Sequence, residues 1–534
     1  MTATRARLQV APLVFFPAAA LIAALVQFSV AWPGLAALYF NGLRTWMVTH
    51  LGWLLHGSVC FLLLFAVGLL CTRWGRIRLS ADNSPPEFSR VSWFAMLFSA
   101  GMGIGLMFFS VAEPMYHYAT PPNGALGSEQ AARQAMGVTF FHWGLHAWGV
   151  YAVMGLALAY FSHRKRLPLS VRSVLQPLLG QRIHGPIGDL VDLVAVFGTV
   201  FGLATSLGLG AKQVNAGLTH LFGITNTTTS QVVIIVVITL AATASLLSGV
   251  NRGIRRLSEL NLLFAFGLLA FVLICGPTWY IVSNLPADVW AYGKHAAYAF
   301  VSSAQMGSAE WQANWTIFYW AWWIAWAPFV GCFIARISKG RSIREFLAGV
   351  LLVPTAVTIL WLGVFGETAL NLELVQGVSI SSVVQQDSSV ALFAVLEALP
   401  LSTFSTVAAV VAVAVFFITS SDSGSYVVDM LTSGGHPDPP HWQRIFWALS
   451  EGAVAITLLV TGGLQALQSA AIVTGLLFCL VIPLSCLSLV RALRHERVPI
   501  RLEGAATRRA RRVPFLRHAQ ARSAGVRRPP ARRL

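Results

Sequence analysis

Long apolar runs separated by short polar loops set the pattern of this chain. Twelve runs approach the 20 or so residues that a helix needs to cross a bilayer: 10–32, 48–71, 91–111, 137–161, 187–218, 231–249, 259–283, 314–335, 346–367, 402–421, 443–461 and 467–490. The pattern predicts an all-α polytopic membrane protein with about twelve transmembrane helices. The first run is too long, and lacks the small-residue cleavage site, for a signal peptide that is removed.

Composition supports the membrane class and excludes others. The chain of 534 residues is 56% hydrophobic and 11% charged, with a mean hydropathy of +0.68. A soluble protein carries about 25% charged residues, so a soluble multidomain enzyme and a disordered protein are both excluded. The six cysteines are scattered and form no CxxC pair, which indicates buried apolar side chains rather than a disulfide framework or a metal site.

The basic residues of the loops alternate with the predicted helices. Five internal loops on one side hold Arg73, Arg76, Arg78, Arg90, Arg164, Lys165, Arg166, Arg172, Arg182, Arg252, Arg255, Arg256, Arg336, Lys339, Arg341, Arg344 and Arg444. The other side holds Arg44, Arg133, Lys212 and Lys294. The positive-inside rule therefore predicts that both termini are cytoplasmic, in a bacterial-type inner membrane.

The C-terminal segment 491–534 differs from the transmembrane domain, residues 1–490. It has fourteen Arg against Glu496 and Glu503, so it supplies +12 of the net charge of +17. Having few apolar residues, it cannot bury a core, and we expect a disordered cytoplasmic tail. Contact with anionic lipid is the expected interaction, because each Arg near such a leaflet contributes about 1 kcal/mol; a nucleic-acid partner is not expected.

The third segment is unusual as a membrane helix because Gly101, Gly103 and Gly105 alternate between Ser99 and Pro114. Each glycine weakens a helix by about 1 kcal/mol relative to alanine. Local unwinding would free backbone carbonyls to face a ligand. Non-helical backbone is tolerated within the membrane where it is buried in protein or lines a cavity. Tight packing of two helices explains the same glycines equally well.

The eighth segment carries five tryptophans within twelve residues, at a depth where leucine is usual. Phe318, Trp322 and Trp326 recur every four residues along one helical face, and the fourth segment adds Trp143, Trp148 and Tyr151. Indole faces attract cations, and aromatic cages bind quaternary ammonium groups. Aromatic core packing is the open alternative. Pro328 predicts a kink or a break in this segment.

The tenth segment ends in a polar string from Thr419 to Gly424 that includes Ser420 and Asp422. Polar groups at the end of an apolar run are functional candidates in a membrane, although hydroxyls also bond their own helix backbone. Glu113, Asp189 and Asp192 are further acids of the membrane region.

These features resemble the betaine/carnitine/choline transporter (BCCT) family over essentially the whole chain before the tail. The tryptophan-rich eighth segment, followed by Ile334 to Gly340, is close to a family signature. The resemblance implies twelve helices, with helices 3–7 and 8–12 forming the 5+5 inverted repeat of the LeuT-like fold. It also implies a homotrimer as the assembly.

The resemblance also implies residue roles. The substrate site falls on Trp143, Trp148, Tyr151, Phe318, Trp322, Trp323, Trp326, Met102, Gly103 and Gly105. The ion-coupling candidates are Ser99, Met102, Phe416, Thr419 and Ser420. The second sodium site of sodium-coupled members needs two threonines, whereas here Thr199 is followed by Leu203, which argues against two-sodium coupling.

The sequence therefore predicts a secondary active importer of choline or glycine betaine, proton-coupled, working by alternating access, without catalytic residues, metal or cofactor. The strings from Thr419 and Leu431 are most similar to the proton-coupled choline branch, but Gly105 stands where choline carriers often have Asp. The alternatives are a sodium-coupled betaine symporter, an ion-independent carnitine-type exchanger and, more remotely, a membrane enzyme that uses His142 and His146.

Overall fold

The structure, a computed structural model, describes residues 10–82, 84–101, 103–123, 127–248, 253–301, 307–436 and 439–496, with the backbone alone at 98–101, 247–248 and 253–258. The first half of this part consists of helices α1 (Pro12–Ala31), α2 (Pro33–Cys71), α3 (Arg90–Gly101), α4 (Ile104–Ala119), α5 (Glu129–Trp143), α6 (Leu145–Ala159), α7 (Val171–Val174), α8 (Gln176–Leu179), α9 (Pro186–Phe222), α10 (Thr228–Ser248), α11 (Gly253–Cys275) and α12 (Thr278–Val301).

The second half continues with α13 (Ala309–Asn314), α14 (Thr316–Ile337), α15 (Ile343–Leu374), α16 (Ile380–Gln386), α17 (Ala391–Glu397), α18 (Ser402–Thr432), α19 (His441–Cys479) and α20 (Val481–Arg494). Short 3₁₀ or π turns lie at Arg73–Arg76, Tyr160–Arg164, Gly180–His184 and Ser388–Val390. Within the described residues nine helices are long and apolar enough to span a membrane, or ten with one bent pair. The all-α polytopic prediction is confirmed; the inverted repeat stays a prediction.

Two interruptions divide helices that face each other. The predicted break in the glycine stretch is present, because α3 ends at Gly101 and α4 begins at Ile104. A second break at Gly144 separates α5 from α6 and was not predicted. A Cβ atom at Gly144 would lie 2.6 Å from the carbonyl oxygen of Phe140 and 2.7 Å from the Tyr292 hydroxyl. Glycine is therefore required where the chain turns between the two helices.

Three predicted boundaries need correction. The seventh segment does not run from 259 to 283, because the chain bends by 106° between α11 and α12, where Gly276 and Pro277 interrupt the helix. Pro328 does not break α14, and the interruption lies before that helix at Trp315. The tenth segment does not end at 421, because α18 continues to Thr432. The predicted separation of segments eleven and twelve is present inside α19, where Gly462 and Gly463 leave the helical conformation and Gly463 at φ +58° turns the chain. That left-handed conformation favours glycine.

Apolar side chains cover the outside of the helices while charged groups lie inside. Leu13, Phe16 and Val30 of α1 are more than half exposed. By contrast, Glu113, Asp422 and Glu451 are fully buried. This arrangement reverses that of a soluble protein and fits a molecule whose outer surface contacts lipid.

Loops assigned to the basic side meet at one end of the helices. Arg78 donates to the carbonyl of Gly340 at 3.1 Å, and Arg164 donates to the carbonyl of Arg78 at 3.1 Å. At the end of α20, Glu496 accepts from Arg164 at 2.7 Å and from Lys165 at 2.8 Å. Three loops and the last described residue thus share one face, as the charge pattern requires. The first residues of the predicted tail belong to α20, which ends at Arg494, and the tail beyond residue 496 lies outside the described residues.

Candidate functional site

A cavity at the two helix breaks is lined by the aromatic residues that the sequence singled out. Its walls are Gly103, Gly105, Leu106, Trp143, Ala147, Trp148, Tyr151, Ser206, Trp322, Trp323, Trp326 and Thr358. The cavity volume is about 40 Å³, so the rings stand close together.

The rings form a nearly continuous wall, which we call the aromatic cage: Trp143, Trp148, Tyr151, Trp322, Trp323 and Trp326. Trp322 and Trp323 stack with centroids 5.2 Å apart, and Trp143 meets Trp323 edge-on at 4.8 Å. Tyr151 lies edge-on to Trp148 at 5.5 Å. These are favourable aromatic pair geometries, and they hold several ring faces around one volume.

Three indoles of the cage direct their N–H groups to protein acceptors. Trp143 donates to Glu113 at 2.7 Å, Trp323 to the carbonyl of His142 at 2.9 Å, and Trp322 to the carbonyl of Gly202 at 3.4 Å. The Trp326 Nε1 is buried without a hydrogen-bond partner among the described residues. The cavity therefore faces mainly ring surfaces, with the Ser206 hydroxyl as a candidate polar contact.

Eight of the ten predicted substrate residues line this cavity. Phe318 does not; it stacks behind Trp322 with centroids 5.4 Å apart and is fully buried. Met102 lies outside the described residues. Leu106, Ala147, Ser206 and Thr358 also line it, and no sequence signal distinguished these small and apolar positions from ordinary helix packing.

Glycines let the helices approach the cage. A Cβ atom on Gly105 would lie 2.7 Å from the Trp322 ring and 3.1 Å from the Trp143 ring. A Cβ on Gly202 of α9 would lie 2.6 Å from the Trp326 ring. Any larger residue at position 105 would therefore displace the cage tryptophans or enter the cavity.

Glu113 of α4 is the charged residue whose role the sequence did not reveal. Its Oε2 accepts from Trp143 at 2.7 Å and from the Tyr319 hydroxyl at 2.5 Å. Its Oε1 lies 2.6 Å from His142 Nδ1 and 3.4 Å from His117 Nε2. We call Glu113, His117 and His142 the Glu–His cluster; all three side chains are fully buried.

The enzyme alternative depended on His142 and His146 acting together, and the structure gives them different surroundings. His142 belongs to the Glu–His cluster and also contacts Thr316 at 2.9 Å through Nε2. His146 instead stacks on Trp320 at 5.8 Å. One ligand atom from each member of the Glu–His cluster lies within 4.8 Å of the others. We assign a hydrogen-bonded cluster, since His142 and Glu113 already bond directly.

The predicted ion-coupling residues lie on α18, apart from Ser99 and Met102, whose side chains are outside the described residues. Thr419 donates to backbone carbonyls of its own helix, those of Val415 at 3.0 Å and Phe416 at 3.2 Å. It also accepts from the Asn261 amide at 2.7 Å. Ser420 is half-buried.

Leu203 of α9 packs against α18. The family resemblance implies that sodium-coupled members have a threonine at this position. A Cβ atom on Gly424 would lie 2.2 Å from the Leu203 side chain. Thr199 donates to the carbonyl of Ala195 at 2.9 Å. Leu203 therefore has a packing role, and an apolar side chain offers no oxygen to an ion.

The comparisons with known proteins agree with the resemblance. The family model described as BCCT, betaine/carnitine/choline family transporter, matches residues 13–498. The chain belongs to the BCCT family. Family membership makes it a multi-pass membrane transporter and not an enzyme.

Three curated relatives illustrate the range of BCCT names around this chain. A glycine betaine transporter of Acinetobacter baylyi is 45% identical over 91% of this chain and 74% of its own length. A glycine betaine/proline/choline transporter of Vibrio parahaemolyticus is 42% identical, covering 86% and 85%. A high-affinity choline transport protein of Escherichia coli K12 is 41% identical, covering 92% and 73%.

Proposed function

We propose that this BCCT transporter imports a quaternary ammonium solute, choline or glycine betaine, by proton-coupled alternating access. The observation that carries the proposal is the aromatic cage. Three of its indole N–H groups bond to protein, so that ring faces remain for a ligand.

The cage suits a trimethylammonium head because such a group has no N–H to donate. Each ring face contributes about 0.5–2 kcal/mol of attraction to a cation, and six rings line the cavity. The named relatives transport glycine betaine, choline or both. The Ser206 hydroxyl offers a contact for the carboxylate of betaine or the hydroxyl of choline.

Proton coupling has support from two buried carboxyl groups, one in the second half of α18 and one on α19. Asp422 accepts from Ser245 at 2.6 Å, and Glu451 of α19 accepts from Ser425 at 2.9 Å. The second oxygen of each carboxyl group has no hydrogen-bond partner among the described residues. Intramembrane carboxyls of this kind are candidates for proton binding, whereas Leu203 removes one sodium ligand.

Uptake into proteoliposomes tests the proposal. The purified transporter is supplied with labelled choline or labelled betaine, while sodium and proton gradients are imposed separately. We expect uptake driven by an inward proton gradient in sodium-free buffer, and saturable by the unlabelled solute. Protein-free liposomes and Trp322→Leu protein are the controls.

The alternatives give different results in the same assay. Uptake that requires sodium would replace the proposal with a sodium-coupled betaine symporter. Uptake that needs internal solute and ignores both gradients would identify an exchanger. Transport of neither solute under any gradient would refute the proposed substrate class.

The proposal includes a bacterial inner membrane, cytoplasmic termini, a homotrimer and contact between the basic tail and anionic lipid. The basic loops that meet at one end of the helices support this orientation. Protease protection of an epitope placed after Leu534 in inverted and right-side-out vesicles tests it. Native mass spectrometry measures the assembly.

A further inference from the structure

The Glu–His cluster is enclosed by helices from both sides of the cage. Glu113 and His117 come from α4, and His142 comes from α5. Trp315 packs its ring on His117 with centroids 4.5 Å apart, and Tyr319 stacks on His142 at 4.8 Å. The three titratable side chains are therefore shielded from water while they touch residues of the cage.

An uncompensated charge at this place is costly, because burial removes the water that would stabilise it. Glu113 accepts from the Trp143 indole, the Tyr319 hydroxyl and His142. Three such donors favour the ionised carboxylate. A proton held by one histidine would make the cluster neutral, and its loss would leave a net charge of −1.

The contacts of His142 are compatible with both protonation states. Its Nδ1 bonds Glu113, and its Nε2 lies 2.9 Å from the Thr316 hydroxyl. A hydroxyl can donate to a neutral imidazole nitrogen or accept from a protonated one. A proton can therefore enter or leave without a change in packing.

Other titratable groups near the cluster are few among the described residues. From α12, His295 approaches α5, where a Cβ atom on Gly137 would lie 2.9 Å from its ring. From α14 comes the Tyr319 hydroxyl. From α15, Glu367 is directed to Asn284 of α12 at 3.1 Å. No Lys or Arg forms a described ion pair with Glu113, so His117 and His142 are the neighbouring groups able to hold a compensating proton.

Hydrogen bonds join the cluster to the cage. The Glu113 carboxylate accepts directly from the Trp143 indole, which lines the cavity. It also accepts from Tyr319, whose ring stacks on Trp323 with centroids 5.7 Å apart. An anionic acceptor on an N–H or O–H group increases the electron density of the attached ring, and that density attracts a cation.

We propose that the Glu–His cluster is a proton-binding site that acts as a switchable counter-charge for the ammonium head in the cage. This inference rests on the proposed substrate class. A proton on the cluster and a cation in the cage oppose each other, so acid weakens cation binding. The cluster therefore tunes affinity, and the proton carried in symport binds elsewhere.

Equilibrium binding to the purified transporter at pH 5.5 to 8.5 tests the inference. Choline and glycine betaine are titrated separately by calorimetry, in detergent, with EDTA present to remove adventitious metal. We expect the choline Kd to rise about fivefold or more towards acid pH, the scale of ordinary coupling between two sites. The betaine Kd changes less, because the net charge of betaine is zero.

Three variants separate the cluster from a general effect of pH. Glu113→Gln removes the charge, and we expect a weaker choline affinity that no longer depends on pH. Tyr319→Phe keeps the ring and removes the hydrogen bond to Glu113. We expect an intermediate loss of choline affinity and of its pH dependence, and this variant remains informative even if Glu113→Gln folds poorly. Glu496→Gln, at a carboxylate that bonds Arg164 at the far end of α20, keeps the wild-type pH dependence.

The outcomes distinguish the inference from the proposed function. Binding that is independent of pH, or a Glu113→Gln or Tyr319→Phe protein with the full wild-type pH dependence, overturns the inference alone. Absence of binding of both solutes to folded wild-type protein at every pH overturns the proposed substrate class and the inference with it.

Discussion

The aromatic cage and the polar stretch of α18 that begins at Thr419 use similar hydrogen-bonding groups in opposite ways. In the cage, the donors of Trp143 and Trp323 bond acceptors on neighbouring segments. On α18, the Thr419 hydroxyl donates to the turn of helix that precedes it. The cage donors therefore hold separate elements together, whereas Thr419 mainly satisfies its own helix.

The difference shows what a ligand would require at each place. A cation can approach the cage rings without breaking a hydrogen bond, because the polar edges of three indoles are already bonded to protein. An ion at Thr419 would need that hydroxyl oxygen to share its lone pairs with the Asn261 amide, 2.7 Å away. The cage is thus prepared for binding in this conformation, and the α18 hydroxyl is not.

Among the substitutions that test this comparison, Trp322→Leu should cause the largest loss of solute uptake. Its ring stacks on Trp323 and Phe318 and lines the cavity. Losing one cation-binding face costs up to about 2 kcal/mol, so we expect uptake of dilute solute to fall by at least about tenfold. Labelled-solute uptake measures it, with gel filtration to check folding.

Phe318→Leu is the matched variant, because Phe318 lies one turn earlier on the same face but behind Trp322. We expect a loss of about threefold or less, since the variant changes support rather than a cavity wall. Equal losses in the two variants would mean that contact with the cavity is not what distinguishes these rings.

Gly105→Ala should give the next largest effect. The added methyl group would lie 2.7 Å from Trp322 and 3.1 Å from Trp143. Overpacking of this kind costs about 1–3 kcal/mol, and we expect it to appear as a roughly tenfold weaker affinity for the solute. Gly103→Ala is the control, because nothing lies within 4 Å of a Cβ atom there. A Gly103→Ala protein as defective as Gly105→Ala would contradict the steric explanation.

Sequence patterns predicted the local features of the fold well. Apolar runs marked the spanning helices, and alternating glycines marked the break between Gly101 and Ile104. The break at Gly144 escaped prediction because a single glycine in an apolar segment is ordinary. Its cause is distant in sequence: the Tyr292 hydroxyl of α12 accepts from the Leu145 N–H at 2.9 Å.

In the candidate site, too, spacing within one helix could be predicted from the sequence, whereas contacts between distant residues could not. Regular spacing on one helix brought Trp322 and Trp326 to one cavity. Glu113 looked like one of several membrane-region acids, since its link to Trp143 joins residues 30 positions apart. Phe318 shares the spacing of Trp322 yet packs behind it. A helical period defines a face, but tertiary packing decides which residues of that face reach the cavity.

Asp422→Asn and Thr419→Ala test the polar stretch of α18, the second region of the comparison. Asp422 is a buried carboxyl that can exchange a proton, so its amide variant should lose most of the proton-gradient stimulation of uptake. Thr419→Ala removes the partner of Asn261 and should reduce uptake by about threefold or less while the proton dependence remains. Proteoliposome uptake with and without a pH gradient measures both. The opposite result would place the coupling ion at the Thr419 hydroxyl.

The smallest effect on uptake is expected for a substitution of Glu496, which lies at the edge of the helices. Its carboxylate pairs with Arg164 and Lys165, whereas Glu113 has histidines as its neighbours. Burial would raise the pKa of Glu496, but hydrogen bonds from Arg164, Lys165 and Tyr160 outweigh it and lower the pKa to about 2. The stabilisation is therefore present above the ordinary value of about 4.3 and is lost as pH falls towards 2.

Glu496→Gln should accordingly lower the free energy of unfolding by about 1–2 kcal/mol, the same amount at every pH from 6 to 8, with uptake unchanged. Thermal melts measure this, and the gap to wild type should narrow below about pH 4, because the unfolded wild-type chain then binds a proton at Glu496 that the folded protein binds only near pH 2. Glu397→Gln, at a side chain that is 66% exposed and 3.9 Å from His220, is the control and should melt like wild type. A gap that widened in acid would show that the ion pairs with Arg164 and Lys165 do not stabilise the folded protein.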